Sequence, residues 1–122
     1  MPKKESFLVN RIKSVGYAFK GAMLLITKEP SIKIQLCIAI LVTVAGFYFE
    51  ISKTEWLIQI LAIALVMGLE GANTAIEEIA NFIHPEYHKK IGYIKDVAAG
   101  AVFIAAICAA VIGFIIYLPK LF

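Results

Sequence analysis

The sequence predicts an all-α membrane protein: a helix lying on the membrane surface, then three helices that cross it. Three observations carry that expectation. Hydrophobic residues make up 61% of the 122-residue chain, and the mean hydropathy is +0.83. A soluble domain of this size could not cover so much apolar surface with polar groups, so a bilayer is the natural solvent. Apolar runs of near-spanning length recur along the chain, and prolines or charges punctuate them. The length fits a single domain, 1–122.

The first helix is expected over residues 5–27. Phe7, Leu8, Ile12, Val15, Phe19, Ala22, Met23 and Ile26 recur at helical spacing, with Arg11, Lys13 and Lys20 beside them. Such a basic amphipathic segment suits a membrane surface. Glu29-Pro30 interrupts it, because proline disfavours helix at the residue before it and lacks a donor. Crossing helices are expected over 32–49, 56–83 and 97–118. The apolar part of the first, Ile34–Phe49, spans only about 24 Å of helix, but Ile32 and the stem of Lys33 extend it. The third spans about 33 Å, enough to cross a core of about 30 Å unaided. His84-Pro85 is expected to end the second and Pro119 the third. Gly100 and Gly113 read as points of close packing in the third.

The net charge is +3, from 12 Lys/Arg and 9 Asp/Glu. In a membrane protein that excess reads as topology and anionic-lipid contact, not as nucleic-acid binding. Lys3, Lys4, Arg11, Lys13, Lys20, Lys28 and Lys33 precede the first crossing, and Lys89, Lys90 and Lys95 lie between the second and third. The loop between the first two has only Lys53. The N-terminus and the second connection are therefore expected to face the cytoplasm, and the C-terminus the outside. Tyr48 and Trp56 fall where an outer aromatic belt would lie. Cys37 and Cys108 sit in apolar runs without metal-ligand spacing and read as small buried residues. Met1 to Ser6 is polar, and no early apolar core with a small-residue cleavage site follows, so no signal peptide is expected.

The second crossing carries a polar stripe. Glu70, Asn73, Thr74, Glu77 and Asn81 fall on one face at about 100° per residue, with Glu78 at its edge. Counted from Trp56, Glu70 lies about 21 Å along the axis, still within the hydrocarbon on the cytoplasmic side. Glu77 lies about 10 Å further on, at the boundary. A glutamate at the depth of Glu70 costs on the order of 2–3 kcal/mol, so it must face protein, water or an ion. Gly68, Gly71, Ala72 and Ala75 flank it and allow close helix approach.

A carboxylate at that depth can serve as a general base. A second one at the interface can hold a hard cation such as Mg²⁺ through oxygen, and such a cation usually brings phosphates. Lys89, Lys90 and Lys95 supply positive charge at the same level, Asp96 adjoins them, and Glu29 reaches that interface from the other side. Together these point to phosphoryl transfer from a soluble donor to a lipid hydroxyl. No Walker loop or protein-kinase catalytic loop is present, so a nucleotide site must be built from scattered side chains. Two other classes fit the stripe: a small proton-coupled transporter or channel using Glu70, and an assembly protein whose stripe only joins helices.

At these residues the chain resembles the prokaryotic diacylglycerol kinase family, which includes the undecaprenol kinases. The run Glu70-Gly-Ala-Asn73-Thr-Ala-Ile-Glu77 is similar to that family's E-x-x-N-[ST]-A-[IL]-E signature. Glu86-Tyr87-His88, Lys95-Asp96, Gly16-Tyr17, Gly21 and Glu29 extend the likeness over essentially the whole chain. The resemblance implies a homotrimeric bundle with active sites shared between subunits, in a bacterial cytoplasmic (inner) membrane. It implies transfer of the γ-phosphate of MgATP to a lipid alcohol, diacylglycerol or alternatively undecaprenol. By that pattern Glu70 would be the general base on the lipid hydroxyl, and Asn73 would support it or the phosphoryl group. Glu29 and Glu77 would hold Mg²⁺. Tyr17, Glu29, Glu77, Glu86, Tyr87, His88, Lys95 and Asp96 would form the nucleotide site. The chain departs from the pattern at Asn81, where Asp is common, and at Asn10-Arg11, where an arginine is displaced by one residue.

Overall fold

The computed structural model describes residues 6–122. Lys3, Lys4 and the Glu5 start of the expected first helix lie outside the described residues. The rest forms four helices and, among the described residues, no strand. They are α1 (Phe7–Lys28), α2 (Pro30–Tyr48), α3 (Lys53–Ile83) and α4 (Lys89–Leu121). The last three are long and apolar enough to cross a membrane.

Local chemistry sets each boundary. Ser6 caps α1, its hydroxyl accepting from the Val9 amide at 3.2 Å. Glu29 closes α1 in an extended conformation, and Pro30 opens α2 at the first helical position, where a missing donor costs nothing. At the far end of α2 the Ile51 amide donates back to the Gly46 carbonyl and the Glu50 amide to that of Phe47. This Schellman arrangement requires a left-handed residue, and Glu50 supplies it at φ 51 where glycine is the usual occupant. Ser52 and Glu55 then form a capping box that starts α3. His84, in a non-helical conformation before Pro85, ends α3. His88 caps α4, its Nδ1 accepting from the Lys90 amide at 3.0 Å.

Several expectations need correction. The last helix begins at Lys89, well before Val97, because nothing in Lys89–Asp96 breaks a helix even though the segment is polar. Pro119 does not end it. The helix runs on to Leu121, since a proline in the last turn removes only one late donor, the one that would have served the Ile115 carbonyl; the Lys120 ammonium donates to the neighbouring Ile116 carbonyl at 3.1 Å. Gly100 and Gly113 mark no close approach within the chain: a Cβ at either would meet nothing. The same holds for Gly68. The close approaches are instead at Gly46, seated against the Trp56 indole, and at Gly71, against Leu25. Cys37 and Cys108 are exposed on the chain's outer faces, not buried.

The interior is a narrow seam. Ile32, Ala39 and Gly46 on α2 recur at heptad spacing, and so do Asn73 and Ala80 on α3. Val102, Ala105 and Ile116 complete it on α4. A seven-residue repeat is the signature of long helices packed at a small crossing angle. α3 and α4 pack most extensively, α2 leans on α3, and α1 touches α2 only lightly and buries no residue.

Two devices tie the Trp56 end. The Tyr117 hydroxyl donates to Gln59 Oε1 at 2.5 Å, with the Val42 carbonyl as its other acceptor in reach at 3.0 Å, while Gln59 Nε2 donates to the Val42 carbonyl at 3.2 Å. One tyrosine and one glutamine thereby join α2, α3 and α4. Lys120 and Glu55 form an ion pair at 3.0 Å at the same end. Phe47 and Trp56 rings meet there at 4.9 Å, and Phe49 and Tyr117 at 6.0 Å.

Candidate active site

The polar stripe lies at the other end of the bundle. Asn73 is 8% exposed. Its Nδ2 donates to Glu77 Oε1 at 3.2 Å, one helical turn on. Its Oδ1 is buried without a partner. Glu70, Thr74 and Glu77 are half-buried, while Glu78 and Asn81 are exposed.

Other elements converge on this stripe. Leu25 of α1 packs on Gly71, beside Glu70. One turn beyond Leu25 is Glu29, half-buried, its amide donating to the Leu25 carbonyl at 3.1 Å. From α4, the Lys95 ammonium donates to Asn81 Oδ1 at 2.6 Å. That bond links the start of α4 to the end of α3. The α1–α2 junction, the α3 stripe and Lys95 thus gather at one end of the molecule.

Not every expected residue joins them. Tyr17 is exposed on α1, about 18 Å of helix from Glu29. Glu86, Tyr87 and His88 are exposed in the α3–α4 connection. His88 is occupied in part as the α4 cap, and its ring lies 5.4 Å from that of His84. Tyr87 lies beside Gly92, its ring at van der Waals distance from where a Cβ would stand. Asp96 is exposed beside Lys95.

Glu70 also lines a cavity of about 590 Å³ between α2, α3 and α4. Its walls are mainly aliphatic, from residues such as Ile38, Ile63, Val66, Ala109 and Ile112. Polar groups stand at its two ends. Gln59 and Tyr117 close one end with the hydrogen bond between them. Ser31, Gln35 and Glu70 stand at the other. The Gln35 Oε1 atom is buried and unpaired. Reasoning from sequence missed Ser31, Gln35, Gln59 and Tyr117. The available signal was a single amide in each of two otherwise apolar runs, since an amide in hydrocarbon without a reason to be there is costly.

The chemistry of these groups is that of oxygen. Among the described residues no three of His, Cys, Asp and Glu gather as a metal cluster. Glu29, Glu77 and the orphaned Asn73 Oδ1 are hard oxygen donors of the kind that suit Mg²⁺, which commonly takes one or two carboxylates and completes its shell with phosphates and water. The donor set therefore fits a cation that arrives with a nucleotide. The apolar cavity with one carboxylate at its end fits an elongated lipid carrying a single reactive polar group.

Comparison with known proteins points the same way. The family model described as prokaryotic diacylglycerol kinase matches residues 16–117. The chain is 37% identical over 109 residues to a protein of Bacillus subtilis (strain 168) named undecaprenol kinase, covering 89% of each chain. It is 31% identical over 100 residues to the diacylglycerol kinase of Escherichia coli (strain K12), covering 82% of each. It is also 31% identical over 113 residues to the diacylglycerol kinase of Synechocystis sp., covering 92% of this chain and 65% of that one. With a family match over most of its length and relatives of this identity, the chain belongs to the prokaryotic diacylglycerol kinase family, a family of lipid kinases.

Proposed function

We propose that this membrane kinase transfers the γ-phosphate of MgATP to the hydroxyl of a membrane lipid, diacylglycerol in the first reading, giving phosphatidate. The observation that carries it is the position of Glu70, a carboxylate at the end of an apolar, lipid-sized cavity and on the same helix face as the Asn73–Glu77 pair. The lipid enters from the bilayer with its hydroxyl at Glu70. Glu70 accepts the hydroxyl proton as the oxygen attacks the γ-phosphorus in line; the new O–P bond forms, the bridging P–O bond breaks, and ADP leaves. Glu77, oriented by Asn73, and Glu29 would hold the cation of the incoming MgATP, which would neutralise charge on the phosphates. Lys95, positioned by Asn81, meets the phosphates, with Asp96 and, from the connection, Glu86, Tyr87 and His88 around the nucleotide; Tyr17 contributes from α1.

Undecaprenol is the second reading. It is favoured by the 37% identity to a protein of that name, against 31% to those named for diacylglycerol. The proton-coupled transporter reading loses ground to both, because it gives no role to Glu29 or to the Lys95–Asn81 contact.

The same proposal includes an amphipathic α1 on the cytoplasmic membrane surface, a cytoplasmic N-terminus and an outer C-terminus, and a homotrimer. Its supports are the basic residues around α1 and the α3–α4 connection, and the many large apolar residues that one chain leaves exposed. The test is direct. Purified protein in mixed micelles with labelled ATP, Mg²⁺ and either lipid should yield labelled lipid. Glu70→Gln should lower turnover by at least about 100-fold, the lower range for a lost general base, while labelled-ATP binding stays. A Glu70→Gln enzyme with full activity would remove the base role.

A further inference from the structure

A glycine inside a long helix calls for a reason, because alanine is the better helix former. Gly71 stands well within the 31-residue α3, and its surroundings supply one. A Cβ built on it would lie 3.0 Å from Leu25 Cδ1 and 3.8 Å from Leu25 Cδ2. Gly68, nearly one turn earlier, has nothing within 4 Å. The hollow at Gly71 is therefore filled by one side chain, and that side chain comes from α1.

Leu25 is joined to more than Gly71. α1 buries no residue, and its second half is covered only along Gly21, Leu25 and Ile26, with Glu29 half-buried just beyond. Gly21, Leu25 and Glu29 follow one another at four-residue intervals, so the covered line runs down one face to the α1–α2 junction. At that junction the Glu29 carboxylate makes no capping bond to α2, although Glu29 is its N-cap. The Glu29 backbone is extended, and its amide donates to the Leu25 carbonyl at 3.1 Å. Leu25 thus holds Glu29 through its main chain and α3 through its side chain.

The two carboxylates proposed for the cation need that link unequally. Glu77 is oriented on α3 itself by Asn73. Glu29 comes from another element, and α2 begins only at Pro30, after it. Accordingly, we infer that Leu25 is a positioning residue: seated in the hollow at Gly71, it fixes Glu29 relative to the Asn73–Glu77 pair. This rests on the proposed roles of Glu29 and Glu77 and deepens them. Ligation shared between two elements depends on their spacing, since Mg²⁺ demands near-ideal octahedral geometry.

The test is a size swap across the contact. Gly71→Ala places a methyl 3.0 Å from Leu25 Cδ1, so the leucine must give by a few tenths of an ångström. Leu25→Val lacks both δ carbons and leaves the hollow unfilled. In either variant the Mg²⁺ concentration for half-maximal lipid labelling should rise about fivefold, part of the value of one charge-assisted contact. The double variant, with the added methyl facing the shortened side chain, should return to within about twofold of wild type, since contacting residues couple. Mn²⁺ affinity in the presence of a non-hydrolysable ATP analogue, followed by electron paramagnetic resonance, should weaken and recover in the same order without any turnover. Leu25→Val carries the test by itself if Gly71→Ala fails to fold, because it leaves α3 untouched. Unchanged Mg²⁺ dependence and Mn²⁺ affinity in Leu25→Val, with wild type active, overturn the role of Leu25 and leave the kinase reading standing. A loss in Gly71→Ala that the double variant does not relieve also overturns it, because that loss would arise within α3 and not at the contact. A wild type that labels no lipid overturns the kinase reading and this inference together.

Discussion

Asn73 sets the chemistry of its neighbours through one hydrogen bond and one vacancy. Its amide N–H holds Glu77 Oε1 at 3.2 Å, and its buried oxygen has no partner. A neutral side chain that donates to a carboxylate leaves the carboxylate's charge intact, which a cation site needs. Glu77→Gln keeps the size and the helix but removes that charge. Under the proposed role, the Mg²⁺ concentration for half-maximal activity should rise by about tenfold, roughly the value of one charge-assisted contact. An unchanged Mg²⁺ profile would remove Glu77 from the metal site. Asn81 does the corresponding job for Lys95, accepting from its ammonium at 2.6 Å without neutralising it. Asn81 is exposed, and an exposed contact of this kind is worth under about 1 kcal/mol. Asn81→Ala should therefore raise KM for ATP about threefold and leave kcat close to the wild-type value. A fall in kcat with KM held would mean that Asn81 acts on something other than nucleotide binding.

The helices were largely legible in the sequence, and the reasons are local. Pro30 and Pro85 break the chain where they stand, and the Glu70–Asn81 stripe follows helical periodicity against an apolar background. The start of α4 was not legible. Lys89–Asp96 is polar and reads as a connection, yet it contains no proline and its one glycine is tolerated. The seam between helices was hidden for the opposite reason: in runs that are apolar all round, no periodicity marks the inner face. The three-helix tie through Gln59 and Tyr117 depends on residues far apart in sequence, and no local pattern announces such a pairing. It predicts a measurable cost. Tyr117→Phe removes the hydroxyl proton shared between Gln59 Oε1 and the Val42 carbonyl and leaves Gln59, 5% exposed, with an unpaired oxygen. The expected loss is about 1 kcal/mol, modest because polar contacts within membranes average less than that. Thermal unfolding in detergent should show a lower midpoint for Tyr117→Phe, and an unchanged midpoint would mean the tie carries no stability.

A single chain buries little of itself. Its inner residues form one thin seam, while large apolar side chains from Phe7 to Phe122 remain exposed. Bilayer lipid can cover many of these. The cavity is different, because α2 and α4 meet at the Tyr117–Val42 bond and make little contact beyond it. Lipid, substrate or another copy of the chain can occupy the opening between them. In the homotrimer that the family resemblance implies, a neighbouring subunit would complete the site. That arrangement predicts complementation between two dead enzymes. Glu70→Gln lacks the proposed base on α3, and Lys95→Met lacks the proposed phosphate contact on α4. If α3 of one subunit works with α4 of the next, co-folded mixtures contain some sites with both residues intact. Mixtures prepared by joint unfolding and reassembly in detergent should then recover activity that neither parent has. The Lys95–Asn81 bond joins α4 to α3 within one chain, which makes the outcome informative. Mixtures as inactive as their parents would mean that each subunit carries its own complete site.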